Sequence, residues 1–380
     1  MLRALGPKVR GDNLRFDAKL PYKHDYLLIL RGLLAFFIVM HHWNYRQVWT
    51  AATGIPLFRY LVPDGALIVS IFFALSGYLM CKIIETQYAG SLRGILRFFY
   101  HRVLRIFPVY YVSVLLLAWV VPESNIPARF PLLFFYGNYA GGLRENPPLW
   151  SICVEVQFYF LAPWIYLWVN RQRVRSRRDC LLIAAFFLAL NFISREMYWL
   201  YCPNRPQIHE TLEVNLVYFM AGWLAYLFRD RLPKLRVSAA FSGLMALLFF
   251  EWIWEIHYRH VGLYGAFGNP VWCFLFPTLI PFALFFLIPP LDRPVRAHRF
   301  LGFILETGIF LGLISYSSYV LHSFFPRLLE TIQRNLRLPF ALPTLISLLA
   351  VCYLVHILIE KPVSKIKMPR TRDTRRPDTP

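Results

Sequence analysis

Two basic residues in the first apolar run of the chain have a spacing that bears on chemistry. Arg31 and His42 are eleven positions apart in Asp25-Tyr-Leu-Leu-Ile-Leu-Arg31-Gly-Leu-Leu-Ala-Phe-Phe-Ile-Val-Met-His41-His42. At ~100° per residue that is ~1100°, about 20° from three full turns, so a helix puts both on one face, ~16 Å apart. His41 points ~100° away from that face. The face therefore carries a permanent cation at one end and a titratable base at the other. A charge inside such a run costs about 2.5–3.5 kcal/mol or more at a bilayer centre, which makes it a functional candidate. Snorkelling to an interface is the alternative; it suits His41 better than Arg31, which lies well inside the run.

Further polar residues interrupt later apolar runs. Glu155 sits about two turns inside Leu149-Trp150-Ser151-Ile152-Cys153-Val154-Glu155, and His322 closes Ser315-Tyr316-Ser317-Ser318-Tyr319-Val320-Leu321-His322. With His42 they are expected at one depth, facing one cavity. A carboxylate orienting an imidazole is the arrangement that removes a proton from a hydroxyl. The same residue types bind metal, but no two of these three share a local motif, so no metal is expected. Arg102 and Arg105 are at i and i+3 and share a helix face. That pair suits either a bidentate phosphate clamp or plain membrane anchoring. Ser76-Gly77 in the second run reads first as a close helix approach. Glu251, Glu255, Glu306 and His356 acquire no role beyond pairing or interfacial placement.

The elements that must position these residues are membrane helices. The chain has 380 residues, 57% hydrophobic and only 16% charged, with a mean hydropathy of +0.45. Soluble domains average about 25% charged residues, so disorder, rods and small disulfide scaffolds are excluded. None of the six cysteines forms a CxxC pair, and no zinc site or disulfide framework is expected. The first 25 residues are polar and basic, without a cleavable signal. Ten apolar segments follow, at roughly 26–43, 64–82, 103–121, 148–169, 180–195, 211–228, 237–255, 270–288, 309–325 and 341–359. The stretch 130–140 is too short to span and reads as interfacial or re-entrant. With the N-terminus inside, 30 of the 41 Lys and Arg fall in inside segments and 10 in outside loops. This excess predicts an all-α polytopic membrane protein of about ten transmembrane helices with both termini cytoplasmic. It also accounts for the net charge of +20 through contact with anionic lipid, so nucleic acid is not an expected partner. The organisation is a cytoplasmic basic segment 1–25, a transmembrane domain 26–362, and a basic tail 363–380 that reads as disordered.

Taken in order, these motifs resemble the acyltransferase-3 family of membrane-bound acyltransferases. The family carries an arginine, ten residues and a histidine in its first helix, as in Arg31 to His42. Its Phe-Phe-x-Leu-Ser-Gly-Tyr/Phe-Leu segment corresponds to Phe72 to Leu79, and its Arg-x-x-Arg pair to Arg102 and Arg105. Its Trp-Ser-x-x-x-Glu-x-x-Phe-Tyr segment corresponds to Trp150, Ser151, Glu155, Phe158 and Tyr159. Its Ser-Tyr-x-x-Tyr-x-x-His segment corresponds to Ser315, Tyr316, Tyr319 and His322, and its closing Glu-Lys-Pro to Glu360, Lys361 and Pro362. Two departures stand out: Ser70 replaces the acidic residue that often precedes the Phe-Phe pair, and the chain is too short for the soluble hydrolase-like domain of some members. A relay through such a domain is expected to need a separate protein.

The resemblance implies an integral membrane O-acyltransferase. It would move an acyl group, expected to be acetyl, from cytoplasmic acyl-coenzyme A to a hydroxyl of a cell-envelope glycan, glycolipid or exported saccharide, in polysaccharide O-acetylation at a bacterial inner (plasma) membrane. His42 and Glu155 are then the expected catalytic pair. Arg31, Arg102 and Arg105 are the expected donor-binding residues. Ser76, Tyr78, Trp150, Tyr319 and His322 are expected to bind substrate or line the cavity. The rival reading is a proton-coupled transporter of a small or lipid-linked solute, since intramembrane Arg, His and Glu serve transport too. No internal repeat of the transporter kind is visible.

Overall fold

The structure is a computed structural model. It describes residues 23–45, 65–88, 92–120, 131–140, 148–169, 176–201, 210–258, 270–292, 295–296, 302–323, 325–326 and 341–366. Helices occupy all ten of the predicted apolar segments, because in lipid only intra-helix pairing satisfies every backbone polar group. They are α1 (Tyr26–Tyr45), α2 (Gly65–Ile83), α3 (Leu92–Val120), a short α4 (Gly137–Ala140), α5 (Leu149–Val169), α6 (Arg177–Tyr201), α7 (Leu212–Phe228), α8 (Val237–Tyr258), α9 (Pro270–Leu287), α10 (Gly302–Leu313), α11 (Ser315–Leu321), α12 (Ala341–Val355) and α13 (Lys361–Ser364). Two π-turns, Ile84–Tyr88 and His356–Glu360, extend α2 and α12. By length and composition five of the described helices can cross a bilayer, six if the bent pair α10–α11 counts as one span; three shorter apolar helices stand beside them. A two-stranded antiparallel ribbon, β1 (Lys23–His24) with β2 (Val295–Arg296), ties the start of α1 to the connection before α10. The predicted tail 363–380 lies outside the described residues beyond position 366, as do residues 1–22 of the N-terminal segment.

Two glycine crossings set the frame. At α2–α7, a Cβ on Gly77 would stand 1.9 Å from the Phe219 carbonyl oxygen, and one on Gly222 would stand 1.8 Å from that of Ala74. The backbones touch there, as the Ser76-Gly77 pair predicts, and aromatic rings close the seam: Phe219 stacks on Phe158 at 4.0 Å and on Phe73 at 4.6 Å. At α1–α10, a Cβ on Gly32 would meet the Gly312 nitrogen at 2.4 Å, and one on Gly312 would meet the Leu28 oxygen at 2.4 Å. Small residues at such points let dispersion contacts hold helices together where lipid supplies no hydrophobic drive. The second crossing fixes the position of Arg31, the neighbour of Gly32.

Helix α10 breaks into α11 with a 56° bend at Ile314. The hydroxyls of Ser315 and Ser318 donate to the carbonyls of Gly312 (2.8 Å) and Ser315 (3.1 Å), competing with the backbone ladder, a known cause of helix bending. The segment 131–140 is anchored, not loose. Phe135 has φ of 55°, a left-handed conformation that is an outlier for a bulky residue. Its ring stacks on Tyr110 at 4.4 Å, and its carbonyl accepts from Gln157 at 2.7 Å.

Candidate active site

A chamber of 1310 Å³ opens at the end of the bundle where α1 begins. Its walls come from α1, α3, α10–α11 and the C-terminal end of α12 with its π-turn. Among the described residues lining it are five fixed cations, Arg31, Arg97, Arg102, Arg105 and Lys361, against one carboxylate, Glu360. Arg102 lies between two rings, its Cζ 5.9 Å from the centroids of both Phe98 and Tyr159. Its buried Nε has no hydrogen-bond partner among the described residues, so that donor is available to a ligand. His101, outside the apolar part of α3, is held below its ordinary value by burial and then by Arg102 and Arg97. Arg97, His101 and Lys361 join the chamber without having been singled out as site residues from sequence. Helical spacing of Arg97 and His101 ahead of Arg102 and Arg105 is the sequence signal that was available for them.

A small cavity of about 40 Å³ adjoins the chamber. Arg31, Ser315 and Tyr316 belong to both. It also touches Ser76, Ser151, Glu155 and Tyr319. Glu155 here differs from the sequence expectation of a partner for His42. One of its carboxylate oxygens accepts from Ser76 at 2.6 Å and from the Tyr159 hydroxyl one turn on, and it lines the same cavity as Arg31. Glu155 is six residues into α5, and His42 is three residues from the far end of α1. One turn back toward that far end, Ser151 and the Tyr319 hydroxyl are 2.5 Å apart.

His42 meets His322 instead. Their ring centroids are 5.0 Å apart, and the Tyr319 ring is 5.9 Å from that of His322. The Nδ1 of His42 lies 3.0 Å from the Ile38 carbonyl, and that of His322 lies 2.7 Å from the Tyr319 carbonyl. A carbonyl only accepts, so Nδ1 must carry the proton in both rings. When neutral, each ring therefore presents Nε2 as its basic atom. The Trp43 indole donates to the His322 carbonyl at 2.9 Å, locking the two helix ends together. His41 turns to the start of α2, where a Cβ on Gly65 would lie 3.1 Å from its ring.

Two expected lining residues stand elsewhere. Tyr78 donates to Asp292 at 3.0 Å, beside the Lys82–Asp292 ion pair at 2.5 Å, and Trp150 packs edge-on against Phe73 at 6.0 Å. Neither lines either cavity. Both point toward packing seams because α2 and α5 each offer only one face to the site. His356 and Glu360, in contrast, line the chamber as a hydrogen-bonded pair at 2.8 Å. Their i,i+4 spacing in an apolar run was the available signal.

Comparison with known proteins gives the family. The family described as acyltransferase domain, acyltransferase-3, matches residues 24–357. The O-acetyltransferase OatA of Staphylococcus aureus is 24% identical over 342 residues, covering 79% of this chain and 51% of OatA. This chain thus spans about half the length of that relative. An uncharacterised protein of Haemophilus influenzae is 25% identical over 202 residues, 47% of this chain and 82% of its own. No solved structure matches.

Proposed function

Since the chain belongs to the acyltransferase-3 family, we propose that it is an integral membrane O-acyltransferase that takes an acyl group, acetyl in the first instance, from cytoplasmic acyl-coenzyme A. The acceptor is a hydroxyl of a cell-envelope glycan, glycolipid or exported saccharide at a bacterial inner membrane. The observation that carries the reading is the pair of joined cavities, a cation-lined chamber leading past Arg31 into a narrow polar passage. The chamber volume of 1310 Å³ exceeds the roughly 300–1,000 Å³ of ordinary small-molecule pockets, as an elongated nucleotide-bearing thioester requires. Its guanidinium groups match phosphate geometry.

The roles follow from position. Arg97, Arg102 and Arg105 hold the donor's phosphates at the chamber wall. Arg31, at the junction, faces the thioester end, with Glu155 as its counter-charge. The acyl carbon advances past Ser76 and Ser151 toward Tyr319. His42, through Nε2, takes the proton from the acceptor hydroxyl as that oxygen attacks the thioester carbonyl; the C–S bond breaks and the thiolate leaves toward the chamber. His322 is the second imidazole beside the attack. The basic asymmetry of the sequence supports a chamber open to the cytoplasm, where coenzyme A resides, with His42 toward the outer side.

Mass spectrometry of cell-surface glycans and glycolipids, with and without the gene, tests the reading. A difference of one acyl group identifies both acyl group and acceptor class. No such difference, together with no binding of coenzyme A by the purified protein, returns the chain to the transporter class.

A further inference from the structure

The small cavity beside Arg31 has a wall that is partly polar by composition but spends its hydroxyl protons on itself. Ser76 donates to Glu155 at 2.6 Å. Ser151 donates to the Pro148 carbonyl at 3.0 Å, so in its 2.5 Å contact with Tyr319 the tyrosine is the donor. Ser315 donates to the Gly312 carbonyl and Tyr316 to that of Ile106, both at 2.8 Å. These are all the hydroxyls among the described residues that line the cavity. Val69, Phe72, Phe73, Leu75, Leu79 and Ile152 supply the apolar part of the wall, and Arg31 supplies its cation. An occupant therefore meets one guanidinium and a hydrocarbon surface. That combination matches a carbonyl carrying a short alkyl group.

The space is short. A water-sized group needs about 10–15 Å³, so the 40 Å³ of this cavity holds about three such groups. The carbonyl and methyl of an acetyl group fit; two further methylenes do not. Arg31 belongs to both the chamber and the small cavity, whereas Phe72 and Tyr319 line only the small one. Phe72, Ser76 and Leu79 recur at i, i+4 and i+7 and share one face of α2. Gly77, ~140° round the helix from Phe72, meets α7 instead. The Phe72 ring stands edge-on to that of Tyr319 at 5.8 Å. Tyr319 is tied to Ser151, and Phe73 is stacked on Phe219 at 4.6 Å in the seam with α7. Shortening Phe72 thus lengthens the space without stranding a polar group or opening that seam. We propose that the small cavity is the acyl pocket and that Phe72 limits the group it takes to the length of acetyl. The thioester carbonyl lies toward Arg31 and the methyl toward the Phe72–Tyr319 ring pair. The inference rests on the acyl-coenzyme A reading above and adds to it the residue that decides chain length.

The test is calorimetry of free, acetyl-, butyryl- and hexanoyl-coenzyme A binding to the intact, detergent-solubilised protein without acceptor. The wild type binds acetyl-coenzyme A at least as tightly as free coenzyme A, and the butyryl and hexanoyl donors roughly tenfold more weakly, the scale of forcing extra methylenes into a filled space. Phe72→Ala reverses the order: each methylene newly buried is worth about fourfold, so butyryl overtakes acetyl while free coenzyme A binds as before. Phe72→Leu shifts the same ratio less far and serves if the alanine variant does not fold. The ratio between donors is the readout, because a purely structural role for Phe72 would weaken all four ligands alike. Equal affinity of the wild type for acetyl and butyryl donors, or a uniform loss in the Phe72 variants, overturns the proposal and leaves the acyltransferase reading standing. No binding of any of the four by the wild type overturns the reading beneath it.

Discussion

The two ends of the polar passage are built on different principles. The chamber end is wide and cationic. Its guanidinium groups come from α1 and α3, with His356, Glu360 and Lys361 added by a π-turn and the short helix after it. On the proposed reading, recognition there is by summed charge, which tolerates small displacements. The far end has two imidazoles 5.0 Å apart, each with its Nδ1 bonded to a main-chain carbonyl. On the same reading, proton abstraction there depends on one atom, Nε2, being in one place with one protonation state. Charge recognition is shared over many side chains, and proton abstraction is not. Substitutions should therefore be graded in the chamber and abrupt at the imidazoles.

The most severe test of that contrast is His42→Ala. A positioned base contributes about 10²–10⁴ in rate, so acyl transfer by the purified protein should fall by that factor while coenzyme A affinity holds. His41→Ala should be far milder, since that ring packs at the start of α2. A dead His41 variant beside an active His42 variant would break the comparison. Next is the double variant Arg102→Lys, Arg105→Lys, which keeps charge but loses the bidentate fork. Coenzyme A affinity, measured by calorimetry, should weaken roughly tenfold to a hundredfold, the scale of one or two charge-assisted bonds. Undiminished affinity would return both residues to membrane anchoring. Glu155→Gln is milder: it keeps acceptors for Ser76 and Tyr159 and removes only the charge near Arg31, so turnover should drop by about tenfold with little change in donor Kd. A loss as deep as that of His42→Ala would move Glu155 from the passage into the catalytic group.

The smallest effect is expected at a residue of neither end. Burial pushes the Glu210 carboxyl up from 4.5 to about 8. Between those values the folded chain keeps a proton that the unfolded chain has released, so stability falls as pH rises across that window. Glu210→Gln should flatten the fall in thermal midpoint between pH 5 and pH 8. A midpoint profile identical to wild type would contradict it.

What was legible in the sequence follows the range of the physics. Apolar runs mark helices because the backbone must pair within itself in lipid, and all ten runs became helices. The Arg31–His42 face follows from helical periodicity alone. Local patterns do not show which side chains meet across two packed helices. Glu155 reads from the sequence as a partner for His42, whereas its carboxylate accepts from Ser76 on α2 and from Tyr159. Tyr78 sits in a motif with Ser76 yet points two residues around the helix, to Asp292 over two hundred positions away. The chamber itself depends on a C-terminal π-turn meeting α3, a long-range contact with no local signature beyond the His356–Glu360 spacing.

The break at Ile314 bears on how an electric field would be distributed across this protein. Irregular backbone at membrane depth is tolerated where it lines an aqueous cavity, and Gly312, Leu313 and Ser315, flanking the break, do line the chamber. If water fills the chamber that far, the medium's high dielectric reaches Arg31, and the membrane voltage falls mainly over the remaining slab. Along α1 that slab is the ~16 Å between Arg31 and His42. A charge crossing the whole potential is worth about 2.3 kcal/mol per 100 mV. Phosphates entering the wide chamber would feel little of this, whereas a proton moving between His42 and the chamber would feel most of it, so an energised membrane would act on the proton-transfer step and leave donor binding nearly untouched.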